Sequence, residues 1–145
     1  MQDLPHRYTV SAVAGPEGDV SLRGDGLTAI ASAPPTEFGG PGDRWSPEML
    51  LAASVADCFV LSFKAIARAS KFQWDGLKCD VEGVLERDEG KIRFTRFIVR
   101  AKLDIGVDAN EDRARRLLEK AKSACLVTSS LSAETVLEAA VNKTG

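Results

Sequence analysis

The stretch FGGPGDRWSPEMLLAASVADCFVLSFKAIARA, Phe38 to Ala69, decides how the rest of the chain is read. Gly39, Gly40, Pro41 and Gly42 make a loop that leads to Trp45. Ser46-Pro47 then reads as a helix start. A serine side chain can accept from the open N–H groups of a first turn, and proline at the first helical position has no N–H to leave unsatisfied. From Met49 to Phe63 almost every residue is apolar or small, with Asp57 the one charge and Cys58 near the middle. A continuous helix from Pro47 to Ser70 would be about 36 Å long at ~1.5 Å per residue. A surface helix usually carries one apolar stripe, whereas this one is apolar nearly all round and calls for cover on most sides. Asp57 and Lys64 interrupt the run, which reads as too short and too charged for a membrane span. The simplest reading is a core helix that holds a cysteine.

At 145 residues the chain suits one domain, 1–145, with a core of its own. Its 19 Lys+Arg stand against 21 Asp+Glu, for a formal net charge of -2. That balance gives no electrostatic case for nucleic acid or for an anionic membrane surface. The N-terminus, MQDLPHRYTV, has no apolar core of the signal-peptide kind, so the default address is the cytoplasm. The 3 cysteines, Cys58, Cys79 and Cys125, are widely spaced and form neither a disulfide framework nor a zinc pattern. His6 is the only histidine, so neither a catalytic histidine nor a His-rich metal site is expected.

Working outward, residues 6 to 34 read as strands. Tyr8, Val10, Ala12 and Ala14 alternate with polar or small neighbours, the period of a half-buried strand. Gly15-Pro16-Glu17-Gly18 is a turn signal; Asp19 to Arg23 is a second strand, and LTAIASA a third, which Pro34 and Pro35 end. Beyond the helix, FQWDG is a connector into a strand with Leu77, Cys79, Val81 and Leu85 on one face and Lys78, Asp80, Glu82 and Glu86 on the other. Asp88-Glu89-Gly90 is a hairpin turn, and Lys91 to Asp104 the return strand. There Ile92, Phe94, Arg96 and Ile98 alternate with Arg93, Thr95, Phe97 and Val99, so neither face is wholly apolar and the register stays loose. Asp108-Ala109-Asn110-Glu111 fits a capping box opening a second helix. Ala114, Leu117, Leu118, Ala121 and Cys125 fall on its apolar face, which points Cys125 inward. Val127 to Ser132 is a short helical turn or loop, and Glu134 to Asn142 could close the fold as a strand.

Cys58 and Cys125 each lie on the apolar side of a helix, and such helices commonly pack together. A pair like this in a reducing compartment is either two inert buried thiols or a redox dithiol, and spacing leaves both open. Cys79, on the apolar face of a strand, reads as structural.

The run WSPEMLLAASVADCF, Trp45 to Phe59, resembles the signature of the OsmC/Ohr family, in which an N-P-E-x-L-L-A-A-x-x-A-x-C-F pattern carries a first cysteine. Cys125-Leu126-Val127-Thr128 matches the second family signature, C-P-V-S, with Leu126 where proline is usual and Lys122 where histidine is common. The resemblance implies an α+β, OsmC-like fold, with antiparallel sheets wrapped around two central helices in an intertwined homodimer. It implies a thiol peroxidase acting on organic hydroperoxides, with Cys58 peroxidatic, Cys125 resolving and Glu48 the active-site glutamate. It needs no resident cofactor, only an external dithiol reductant, lipoyl or another thiol.

Two physical checks bear on that implication. Glu48 precedes Cys58 by ten positions, or ~15 Å of helix, so the two side chains cannot touch within one straight helix, and a bend or a second subunit is needed. An ordinary thiol has a pKa of ~8.5, and burial or a nearby carboxylate raises it. A cation is therefore expected near Cys58. Pro16 stands in the turn where the family has arginine, which leaves Arg44 as candidate, with Arg23 and Arg7 behind it. Two other functions stay open: an OsmC-fold small-molecule binding protein without peroxidase activity, and a structural dimer with core cysteines.

Overall fold

The computed structural model describes residues 2–145. It divides the chain into two compact units, Met1–Leu50 and Leu51–Gly145.

The first unit is a small antiparallel meander. β1 (Ser11–Val13), β2 (Val20–Arg23) and β3 (Ile30–Ser32) pair in that order, with Ser11 opposite Arg23 and Val20 opposite Ser32. Pro34 and Pro35 end β3, as expected, and a 3-10 turn over Thr36–Phe38 follows. Gly40 is required there, because a Cβ would lie 1.6 Å from the Pro34 carbonyl oxygen. The first strand is shorter than its alternation suggests. Tyr8 and Val10 precede β1 and are 88% and 77% exposed; strands of three or four residues bring no layer to cover them.

α1 (Pro47–Ala69) starts where the sequence places it, with the Met49 N–H donating to Ser46 Oγ at 3.1 Å. By length and apolar composition α1 qualifies as a membrane-crossing helix, which corrects the expectation that it is too short and too charged to do so. Its buried residues nonetheless make it a core helix. Val55, Phe59, Phe63 and Ala67 recur every fourth position, and each is at most 1% exposed.

The second unit stacks helices on a mixed sheet. β4 (Gly76–Asp88) and β5 (Lys91–Gly106) form a long hairpin, closed by Glu89 and Gly90, both at positive φ as a two-residue hairpin turn of this hand requires. β6 (Glu134–Thr144) settles the open question at the C-terminal end: it is a strand, and it pairs with β5 in parallel. The α+β class holds with this one departure from antiparallel pairing. It follows from the long connection through α2 (Glu111–Ala124) and α3 (Leu126–Ser129), since a strand reached by a crossover can return in the same direction.

The ambiguous alternation of β5 has a local cause. Val84 pairs with Arg96 but Leu85 with Phe94, so Thr95 is an extra residue in a bulge. The bulge carries Phe94 over to the side of Phe97, where the rings stack 5.2 Å apart. Phe97, Val99, Ala101, Leu103 and Ile105 then face one core with the α1 residues above and with Ala114, Leu117, Leu118 and Ala121 of α2. On the outer face Arg100 joins Glu82 at 2.9 Å and Glu138 at 3.2 Å. α2 opens two residues later than the capping box suggests. Gly106 to Ala109 is a tight turn, so Asn110 is the cap and accepts from the Arg113 N–H at 2.9 Å. The third helical position is thus an arginine, and no reciprocal acid–amide pair forms.

Candidate functional site

Two cysteines of the second unit meet. Cys58 lies half-buried at the middle of α1, and Cys125 is buried, 2% exposed, at the break between α2 and α3. The break is made by Cys125 itself, whose φ of -66° and ψ of 112° are extended. Its carbonyl then takes up the start of α3, accepting from the Ser129 N–H at 3.1 Å and from Ser129 Oγ at 2.8 Å. Both thiols are free, and the Cys125 thiol is one of the groups that lower the pKa of Cys58. Helix faces placed both sulfurs inward, and the packing brings them together.

The electrostatics of Cys58 differ from the expectation. Burial is the largest single influence and raises its pKa. Against it act the Val127 N–H, the Cys125 thiol, the Leu126 N–H and the Ser62 hydroxyl, and together they prevail, so the thiol is more acidic than usual. Among the described residues no arginine is one of the groups acting on it. Neutral donors do the work for which a cation was sought: a hydrogen bond to the charged form favours that form. Ser62 was within reach of sequence reasoning, because it follows Cys58 by four positions and so shares its face of the helix. The amides of Leu126 and Val127 were not, since nearly every residue has an N–H and its direction has no residue-type signature.

Arg44 lies in the first unit and is held by carboxylates, with Nε 2.8 Å from Asp19 and a terminal nitrogen 3.1 Å from Asp43. Glu48 is also there, beside a cavity of about 260 Å³ whose other walls include Val20, Ala33, Pro34, Pro35 and Phe38. Its Oε1 is buried and has no hydrogen-bond partner. α1 runs unbroken through positions 48 and 58, so the ~15 Å of rise between them is kept. Cys79, on the core side of β4, is pushed up to about 11, chiefly by burial and then by Asp80 and Cys125. It is a protonated thiol at neutral pH, in keeping with its structural reading. Among the described residues no three His, Cys, Asp or Glu side chains converge as a metal site.

A chain of this make-up can hold a thiolate next to a second thiol, which is the arrangement for reversible oxidation to a disulfide. Known proteins resemble it along nearly its whole length. The uncharacterized protein YmaD of Bacillus subtilis (strain 168) is 26% identical over 145 residues, covering 97% of each chain. An organic hydroperoxide resistance protein of Xanthomonas axonopodis pv. citri is 38% identical over 71 residues, 48% of this chain and 50% of that one. The fold is shared with an OsmC-like protein of unknown function from Vibrio cholerae, at a TM-score of 0.86 and 15% identity over 93% of this chain and 99% of the other. The OsmC-like protein family is matched over residues 40–140, from the glycine-rich loop through both cysteines and into β6, and the chain belongs to that family.

Proposed function

We propose that this protein is a thiol-dependent peroxidase that reduces organic hydroperoxides to alcohols. The observation that carries the reading is Cys58, a thiol made more acidic by neutral donors with a second thiol against it. The Cys58 thiolate attacks one peroxide oxygen; an S–O bond forms as the O–O bond breaks, and the other oxygen leaves as an alkoxide that takes up a proton. The Cys125 sulfur then attacks the sulfenic sulfur of Cys58, forming the disulfide and releasing water. An external dithiol reverses that bond by exchange and restores both thiols. The family membership and the hydroperoxide-resistance name of the Xanthomonas relative support this substrate class.

Two further parts belong to the proposal. The working form is a homodimer, which accounts for the exposed Tyr8, Trp45, Met49 and Leu61. Glu48 is the active-site glutamate, and the length of helix between it and Cys58 has the two reach one site from different copies of the chain. Arg44 is left out of the activation of Cys58, since Asp19 and Asp43 already engage it. Three free thiols suit a reducing compartment such as the cytoplasm.

The test is intact mass under denaturing, thiol-blocked conditions after one equivalent of cumene hydroperoxide. Wild type should lose the mass of two hydrogen atoms to a Cys58–Cys125 disulfide within seconds, and Cys125→Ser should gain one oxygen or more at Cys58. Thiols that stay reduced for many minutes would leave a binding protein on this fold.

A further inference from the structure

The far end of α1 is tied to the start of α2. α1 closes with Lys71 at φ 53°. Two N–H groups fold back on its last turn, Lys71 to the Arg68 carbonyl at 3.1 Å and Phe72 to the Ala67 carbonyl at 2.9 Å. In this kind of helix ending a left-handed residue turns the chain, and the residue after it makes an apolar contact. Phe72 is accordingly buried. The Ser70 carbonyl is left over, as the last carbonyls of a helix are. Among the described residues no backbone N–H takes it. The Arg113 guanidinium does, while lying over the Phe72 ring at 5.5 Å from the centroid. Arg113 stands in the first turn of α2, where a cation is unfavourable, and carries its charge to the C-terminal end of α1, where a cation is favourable.

This joint sets a register. Cys58 lies twelve positions before Ser70, and Cys125 twelve positions after Arg113. At ~1.5 Å per residue, each cysteine is about 18 Å from the joint along its own helix. α1 runs towards the joint and α2 away from it. Their inward faces share one core, Phe59, Phe63 and Ala67 with Ala114, Leu118 and Ala121. Two arms of equal length, joined at one end, finish level at the other. In keeping with this, Cys125 is among the groups that act on Cys58. We propose that Arg113 is a positioning residue: by joining the end of α1 to the start of α2, it holds the two helices in the register that brings the Cys58 and Cys125 sulfurs together. A slip of one helical turn, ~5.4 Å, would part them, since a disulfide holds its Cβ atoms ~3.5–4.5 Å apart. This role rests on the dithiol of the function proposed above and is independent of which oxidant the dithiol meets.

The test reads the redox equilibrium of the pair on the full chain, with no peroxide present. In mixtures of reduced and oxidised glutathione the two thiols give up two electrons and two protons, and one glutathione disulfide becomes two glutathione thiols. The masses of the Cys58 and Cys125 peptides after thiol blocking give the oxidised fraction. Arg113→Gln should lower the equilibrium constant of the Cys58–Cys125 disulfide about tenfold, which raises its potential by about 30 mV. Arg113→Lys keeps a charge and a donor without the flat stacking on Phe72, so it should fall between wild type and Arg113→Gln. It also guards against an Arg113→Gln chain that folds poorly. Ile105→Val is the control for stability alone: it trims the same core and lowers the urea midpoint, and its potential should stay at the wild-type value. One potential for wild type and both Arg113 variants would overturn the proposal. So would a shift in Ile105→Val as large as that in Arg113→Gln, which would assign the effect to lost stability. A wild type that forms no Cys58–Cys125 disulfide in oxidised glutathione would overturn it together with the dithiol. The expected shift in a protein that does not consume cumene hydroperoxide would uphold the joint and remove the peroxidase.

Discussion

The two compact units of this chain use apolar residues in opposite ways. Leu51–Gly145 has an apolar core, with Phe59, Phe63, Phe97, Leu103, Ile105 and Leu118 all at most 1% exposed. In Met1–Leu50 large apolar side chains are outside, with Tyr8, Val10, Leu27, Phe38, Trp45 and Met49 exposed, and among the described residues only Ser32, Ala33 and Ser46 are buried. The second unit has the core that a helix-on-sheet layer makes by itself. The first is a meander of very short strands, and a three-stranded sheet of that size keeps its shape only by packing one face on something. The contrast teaches where stability resides and where cover from a second copy would act.

The largest effect that should follow is at Phe63, wholly buried and edge-on to Trp74 with ring centroids 5.4 Å apart. Phe63→Ala should cost ~3–5 kcal/mol, read from the urea midpoint. Tyr8→Ala, in the other unit, should cost under ~0.5 kcal/mol in dilute protein and more as protein concentration rises. A Tyr8 cost that never rises with concentration would remove the homodimer and leave the first unit uncovered. Next comes Glu48, whose buried Oε1 has no hydrogen-bond partner. Leaving such a group buried costs ~1–3 kcal/mol, while an acid in a first helical turn gains about 0.3–1 kcal/mol from the helix. Glu48→Met keeps the length and removes both, so dilute protein should gain about 1 kcal/mol. A loss instead would mean that a donor from outside the chain reaches Glu48.

The effect at Cys79 shows only with pH: its thiol is raised from 9.0 to about 11 in the fold. The folded state then holds its proton more tightly than the unfolded chain does. The stability this provides is present below about pH 9 and is lost as pH rises through about 11. The difference in urea midpoint between wild type and Cys79→Ala should therefore shrink between pH 8 and pH 11. A constant difference would mean that Cys79 titrates alike folded and unfolded.

What could be read in the sequence was local. Ser46-Pro47 starts α1, Pro34-Pro35 ends β3, and Glu89-Gly90 turns the hairpin, because in each case the residue type itself imposes the geometry. What could not be read depended on residues far apart. Thr95 looks like any other strand residue until Val84 and Leu85 are paired across from it, so the bulge was invisible and β5 seemed to have no clean face. The parallel register of β6 is a property of its crossover. Helical spacing set the faces of Cys58 and Cys125 without bringing the sulfurs together. Among the described residues the groups that lower the Cys58 pKa include backbone N–H groups, which a search for charged side chains passes over. Leu126, standing where C-P-V-S has proline, keeps a backbone N–H, since proline has none.

That donor arrangement also has a consequence in time. Synthesis proceeds from Cys58 towards Cys125 at about 5–20 residues per second, so the segment that carries Leu126 and Val127 follows Cys58 by roughly 3–14 s. Until α3 docks, Cys58 is an ordinary cysteine on an apolar helix, without the groups that make its thiol acidic. The lowered pKa of Cys58 thus comes only with completion of the fold.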